Sequence, residues 1–125
     1  MTPLQEQYEI LKTDYPEAVI QVLPSGAALI FIPKLPLPAG WSKPITEIRF
    51  VAPVGYPFAK PDCFWTDADL RLQGGGIPQN VGNNAIPEVS GSYLWFSWHV
   101  AQWNPNKDNL TTYMRVIENR LKALR

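Results

Sequence analysis

Ser97 and His99 are the side chains whose types and spacing best suit nucleophilic chemistry. Their segment, Leu94 to Pro105, reads LWFSWHVAQWNP and holds three of the five tryptophans and the only histidine. In an extended segment, side chains at i and i+2 share a face. Ser97, His99 and Trp95 would then project one way, and Phe96, Trp98 and Val100 the other. A serine hydroxyl is a poor nucleophile until a base takes its proton. Imidazole is the usual base near neutral pH. Ser97 could thus serve as a nucleophile, with His99 as the base that activates it. The competing expectation is a structural Ser-x-His, in which the imidazole bonds a backbone carbonyl.

Other candidates weigh less. Cys63 is the only thiol, so it has no internal disulfide partner. It falls in a short strand-like run, Asp62 to Thr66, where it would point opposite to both neighbours. A reactive cysteine needs a nearby cation or helix N-terminus, and its sequence neighbours supply none. It reads as a small buried hydrophobe. No Cys/His cluster is visible, so no zinc site is expected. Trp95, Trp98 and Trp103 read mainly as packing, although Trp95 or Trp98 could serve a partner interface. Asn80, Asn83 and Asn84 are turn formers that could also offer an oxyanion donor. Asp108 reads as a helix-start residue, with the option of orienting His99.

These residues must be positioned by a single domain spanning 1–125. The chain has 46% apolar residues, enough for one core. Lys and Arg number 11, and Asp and Glu also 11. That balance gives no electrostatic reason to expect nucleic acid or an anionic membrane as partner. No apolar run approaches the roughly 20 residues of a membrane span. The first residues lack a secretory-signal pattern. With one cysteine, the expected setting is cytoplasmic. No phosphate-binding glycine loop is present, and no cofactor is expected.

The elements follow from pattern. Thr2-Pro3-Leu4-Gln5 is a helix start, with Thr2 as cap and Gln5 completing a capping box. Leu4, Tyr8 and Leu11 follow at helical spacing, and Pro16 ends the helix. Residues 18–23 and 27–32 flank the turn Pro24-Ser25-Gly26 and predict a hairpin. The proline-rich stretch 33–44 predicts a connector or edge. Ile45–Ala52 predicts a third strand, with Ile48 and Phe50 on one face, and Asp62–Thr66 a short fourth. Residues 73–92 contain five glycines without periodicity and predict a long functional loop. Asn106-Lys107-Asp108 opens a last helix with Leu110, Met114, Ile117, Leu121 and Leu124 as its buried stripe. Arg120, Lys122 and Arg125 lie near its end, where a helix favours cations. Helix, strands, loop, helix in that order suggest an α+β domain with an antiparallel sheet.

Two segments carry a family resemblance. Gly55-Tyr56-Pro57-Phe58-Ala59-Lys60-Pro61 resembles the Tyr-Pro-Phe…Pro segment of ubiquitin-conjugating enzymes. Trp103-Asn104-Pro105 before a helix resembles their Trp-Ser-Pro segment just after the active site. The segment around Trp95, Ser97, His99 and Trp103 resembles most the small bacterial branch, prokaryotic family E, and the likeness covers roughly residues 3–124. It implies a ubiquitin-conjugating-enzyme-like fold of N-terminal helix, four-stranded meander, active-site loop and C-terminal helix. It also implies acyl-carrier chemistry for a bacterial ubiquitin-like pathway. The partners would be a ubiquitin-like protein, an adenylating activating enzyme and often a deconjugating peptidase, with the first helix a docking face for the activating enzyme.

The chain departs from the superfamily at two places. The nucleophilic cysteine usually stands a few residues before the Trp-x-Pro tryptophan, yet Gly91–Gln102 contains none. The His-Pro-Asn motif survives only as Ile77-Pro78-Gln79-Asn80. The resemblance therefore implies either a transferase with Ser97 as nucleophile, His99 as base and Asn80 as oxyanion or loop-ordering residue, or an inactive variant that binds ubiquitin-like proteins as a scaffold.

Overall fold

In the computed structural model, which describes residues 3–125, two helices pack against one antiparallel sheet. Helix α1 spans Pro3–Asp14. It seats Leu11 fully in the core, with Leu4 and Tyr8 partly buried against it. The cap expected at Thr2 lies outside the described residues. Strands β1 (Val19–Val22), β2 (Ala28–Pro36), β3 (Ile45–Ala52) and β4 (Phe64–Thr66) run as a meander. The expected hairpin forms, with Val22 opposite Ala28. The proline-rich stretch, expected as connector or edge, is in part sheet: β2 continues beyond its pairing with β1 to Pro36, which pairs with Ile45 across an irregularity between Ile32 and Leu35.

The sheet has six strands rather than four. Strands β5 (Val81–Gly82) and β6 (Leu94–Phe96) extend it in the order β1-β2-β3-β4-β6-β5. The short β5 lies inside the stretch 73–92 that sequence pattern assigns wholly to loop. Two residues cannot display a periodicity, so pairing with β6 alone defines this strand.

Alternation divides the sheet residues between two clusters. Ile30, Ile32, Ile48, Phe50, Phe64 and Phe96 face the helices and join the main core. Leu29, Trp65, Val51 and Trp95 face the other way. The long loop folds back over this outer face. Ile86 is 1% exposed there, the Trp65 indole donates to the Asn84 carbonyl at 2.8 Å, and Ser25 donates to the Glu88 carboxylate from its amide and its hydroxyl.

Helix α2 (Leu110–Lys122) starts later than Asn106–Asp108 suggested. Asn109 is its cap and forms a reciprocal capping box with Thr112. Leu110, Met114, Ile117 and Leu121 are buried as expected, whereas Leu124 lies beyond the helix and is half exposed. The Leu124 side chain crosses Gly40, where an added Cβ would meet it at 2.4 Å. Among the described residues, no helix is long and apolar enough to cross a membrane.

Candidate functional site

The segment after β6 is anchored on both sides. Phe96, Trp98 and Val100 pack on the main core, while Trp95 lies in the outer cluster, as alternation requires. Phe64 stacks on Phe96 with centroids 4.7 Å apart. One step past the β5–β6 ladder, the Ser97 amide donates to the Asn80 carbonyl at 2.8 Å. The backbone thus unites two predicted site residues, Asn80 and Ser97. Asn80 is exposed and sits at φ 63°, the left-handed turn conformation that asparagine tolerates. Ser97 is half-buried and His99 exposed. Gly82 lets the Trp95 ring lie close to the β5 backbone, since a Cβ there would stand 3.0 Å from it.

Just before β4, Cys63 approaches the same segment. Its amide donates to the Trp98 carbonyl at 3.1 Å. The Tyr113 hydroxyl, rising from α2, donates to the Cys63 carbonyl at 2.8 Å and lies 3.3 Å from that of Trp98. This buried clamp sets residues 62–63 beside 98–99. Cys63 is not within a strand, contrary to expectation, but at φ 64°. A left-handed residue interrupts the alternation that would have sent Asp62 and Cys63 to opposite faces. Both side chains consequently converge on His99.

The His99 imidazole meets the Asp62 carboxylate through Nδ1. A carboxylate only accepts, so in the neutral ring Nδ1 carries the proton and Nε2 the lone pair. The orienting carboxylate is therefore Asp62; Asp108 instead accepts from the Asn104 amide at 2.7 Å. Among the described residues, no hydrogen bond joins the Ser97 hydroxyl to His99. One ligand atom each from Asp62, Cys63 and His99 lie within 4.8 Å of one another. This cluster was invisible in the sequence, where residues 63 and 99 stand far apart. Cys63 is 8% exposed. Burial first, and then the charge of Asp62, push its thiol up from the ordinary value, against opposing hydrogen bonds from Trp98 and Trp95.

Two further residues shape the site. Arg120 is 1% exposed and fans its guanidinium onto the carbonyls of Gln79, Ala123 and Arg125 at 2.8, 3.0 and 2.8 Å. Phe96 and Trp98 lie under it. It fixes Gln79, the neighbour of Asn80, yet from sequence it reads only as a cation at a helix end. Trp103 donates from its indole to the Pro57 carbonyl at 2.7 Å and packs against Tyr56. Tyr56 in turn bonds Gln7 of α1. The two sequence motifs quoted above are therefore one contact. A groove of about 400 Å³ on the outer sheet face, lined in part by Phe31, Arg49, Glu88 and Tyr93, contains none of the predicted site residues.

No curated protein and no solved structure matches the chain. A family model does match, over residues 6–123. The chain, with its helix–sheet–helix order and its joined Tyr-Pro-Phe and Trp-x-Pro segments, belongs to prokaryotic E2 family E.

Proposed function

We propose that this domain is the acyl carrier of a bacterial ubiquitin-like modification pathway. It accepts the C-terminal acyl group of a ubiquitin-like protein from an adenylating activating enzyme and holds it as an ester on Ser97. The observation that carries this reading is family membership across residues 6–123. It implies a ubiquitin-conjugating-like role and, in general terms, a ubiquitin-like protein and an activating enzyme as partners. A deconjugating peptidase of the same pathway would reverse the modification.

The chemistry is acyl transfer. The Ser97 oxygen attacks the carbonyl carbon of the activated C-terminus. The bond to the activating enzyme's leaving group breaks, and the hydroxyl proton passes through His99 Nε2 to that group. Asp62 supports this role because it holds the imidazole in the tautomer that leaves Nε2 free. Asn80, bonded through its carbonyl to the Ser97 amide, orders the loop and offers its amide to the developing oxyanion. Trp95 and Trp98, both half-buried, present aromatic surface to the ubiquitin-like partner.

A second reading, a non-catalytic scaffold that binds ubiquitin-like proteins, is favoured by one observation. Among the described residues, the Ser97 hydroxyl makes no hydrogen bond to the His99 ring, which bonds Asp62. Incubation with the ubiquitin-like protein, activating enzyme and ATP separates the two. The carrier reading requires an adduct that survives thiol reductant, breaks in alkali and disappears in Ser97→Ala. An adduct sensitive to reductant and lost in Cys63→Ser would move the nucleophile to Cys63. Retained binding with no adduct would establish the scaffold.

A further inference from the structure

The cluster Asp62–Cys63–His99 supplies one oxygen, one sulfur and one nitrogen. That mixture suits a borderline-soft divalent ion of the zinc class better than magnesium or calcium, which prefer all-oxygen shells. The three ligand atoms already lie within 4.8 Å of one another. A tetrahedral zinc centre needs them about 3.3–3.8 Å apart, from metal–ligand bonds of about 2.0–2.3 Å. The Asp62–His99 pair, now in hydrogen-bond contact, must open to admit an ion, and both of these side chains are 56% exposed.

The backbone is already committed. The Cys63 amide on the Trp98 carbonyl and the Tyr113 hydroxyl beneath both segments hold residues 62–63 against 98–99. The left-handed turn at Cys63 directs two consecutive side chains to one point. Cys63 forms the floor, and the exposed Asp62 and His99 form the rim.

We propose that Asp62, Cys63 and His99 bind one zinc-class divalent ion in a three-ligand site with its fourth position open to solvent. The ion displaces the Nδ1 proton of His99, which passes through solvent to Nε2, and the Cys63 thiol binds as thiolate, releasing its proton to solvent, so the metal-bound state has no free Nε2 base. Three protein ligands with an open position is the arrangement of zinc centres that bind water or substrate. The proposal does not depend on the acyl-carrier reading, since it needs neither ATP nor a partner protein.

Cobalt(II) titration of the purified, reduced chain tests it. Cobalt(II) alone should bind one per chain, with near-ultraviolet thiolate-to-metal charge transfer and visible bands of tetrahedral intensity, and zinc should displace it. Cys63→Ser should abolish the charge transfer. His99→Ala and Asp62→Ala, at exposed positions, should each weaken binding about tenfold or more, with unchanged circular dichroism. No saturable one-to-one binding would overturn the proposal. So would charge transfer equally strong in His99→Ala and Asp62→Ala, which would mean metal held by the thiol alone. If Cys63→Ser fails to fold, the His99 and Asp62 variants still decide. A chain that forms the Ser97 ester but binds no metal would refute this inference alone.

Discussion

At the residue scale, the pairing of Asp62 with His99 separates chemistry from stability. Both side chains are more than half exposed, and even a fully charged exposed pair contributes only about 0–1 kcal/mol to folding. On the proposed carrier reading, in contrast, Asp62 orients a base and acts directly on the reaction. Asp62→Ala should leave the melting temperature nearly unchanged while slowing single-turnover adduct formation about tenfold or more. A melting temperature that falls together with the rate would make Asp62 a structural residue. Tyr113 predicts the reverse. Its hydroxyl is buried and satisfies the Cys63 carbonyl. Tyr113→Phe leaves that carbonyl without its donor, at about 1–3 kcal/mol. Urea denaturation should show that loss, and hydrogen exchange should speed up at the Cys63 amide, which bonds Trp98. Unchanged exchange at Cys63 would mean that the clamp does not depend on Tyr113.

At the scale of elements, the long loop behaves as part of the sheet's outer layer. Ile86 is buried among Leu23, Ala27, Leu29 and Trp65, and Glu88 bonds the hairpin turn at Ser25. Ile86→Ala removes a buried side chain and should destabilise by about 2–4 kcal/mol. Glu88→Ala cuts only an exposed contact and should change stability by less than about 1 kcal/mol. Limited proteolysis should then cut the Ile86→Ala loop between residues 83 and 92 well before the wild-type loop. Equal cutting rates would show that Ile86 does not anchor it. The loop also shows what the sequence could and could not reveal. The helix around Leu11, the hairpin about Ser25-Gly26 and the strand with Ile48 and Phe50 were legible, because each repeats a period long enough to see. Strand β5 is two residues long and exists only through its partner. The start of α2 was misplaced because Asp108 and Asn109 are both cap-forming types, and only Asn109 exchanges bonds with Thr112. At the site, Ser97 and His99 were conspicuous as neighbours. Asp62 and Cys63 were not, since a left-handed residue and a tyrosine on α2 bring them there. Arg120 was hidden for the same reason: its three carbonyl partners come from tertiary structure and from the chain after the helix.

For the whole molecule, three tyrosines report the integrity of the helix–sheet interface. Burial pushes the phenols of Tyr15, Tyr56 and Tyr113 well above their ordinary value of 10.0. Carboxylates reinforce the shift: Glu118 at Tyr15, Asp108 at Tyr56 and Asp62 at Tyr113, where Cys63 contributes as well. Tyr15 follows α1, Tyr56 links Gln7 to Trp103, and Tyr113 stands on α2 against Phe50 with centroids 5.0 Å apart. A folded-state value raised above the unfolded one means that the folded chain binds the proton more tightly. The associated stability is fully present below pH 10 and declines above it, because the unfolded chain loses these protons first. Alkaline unfolding and ionisation of these three phenols should therefore be one event. Phenolate absorbance from Tyr15, Tyr56 and Tyr113 should rise with the same midpoint as the loss of far-ultraviolet circular dichroism, above pH 10. Tyr113→Phe should remove one phenolate from that late step and none from any earlier one. Complete ionisation of all five tyrosines in a chain with native circular dichroism would show that the interface is open to hydroxide, contrary to the full burial of Tyr113 and the partial burial of Tyr15 and Tyr56.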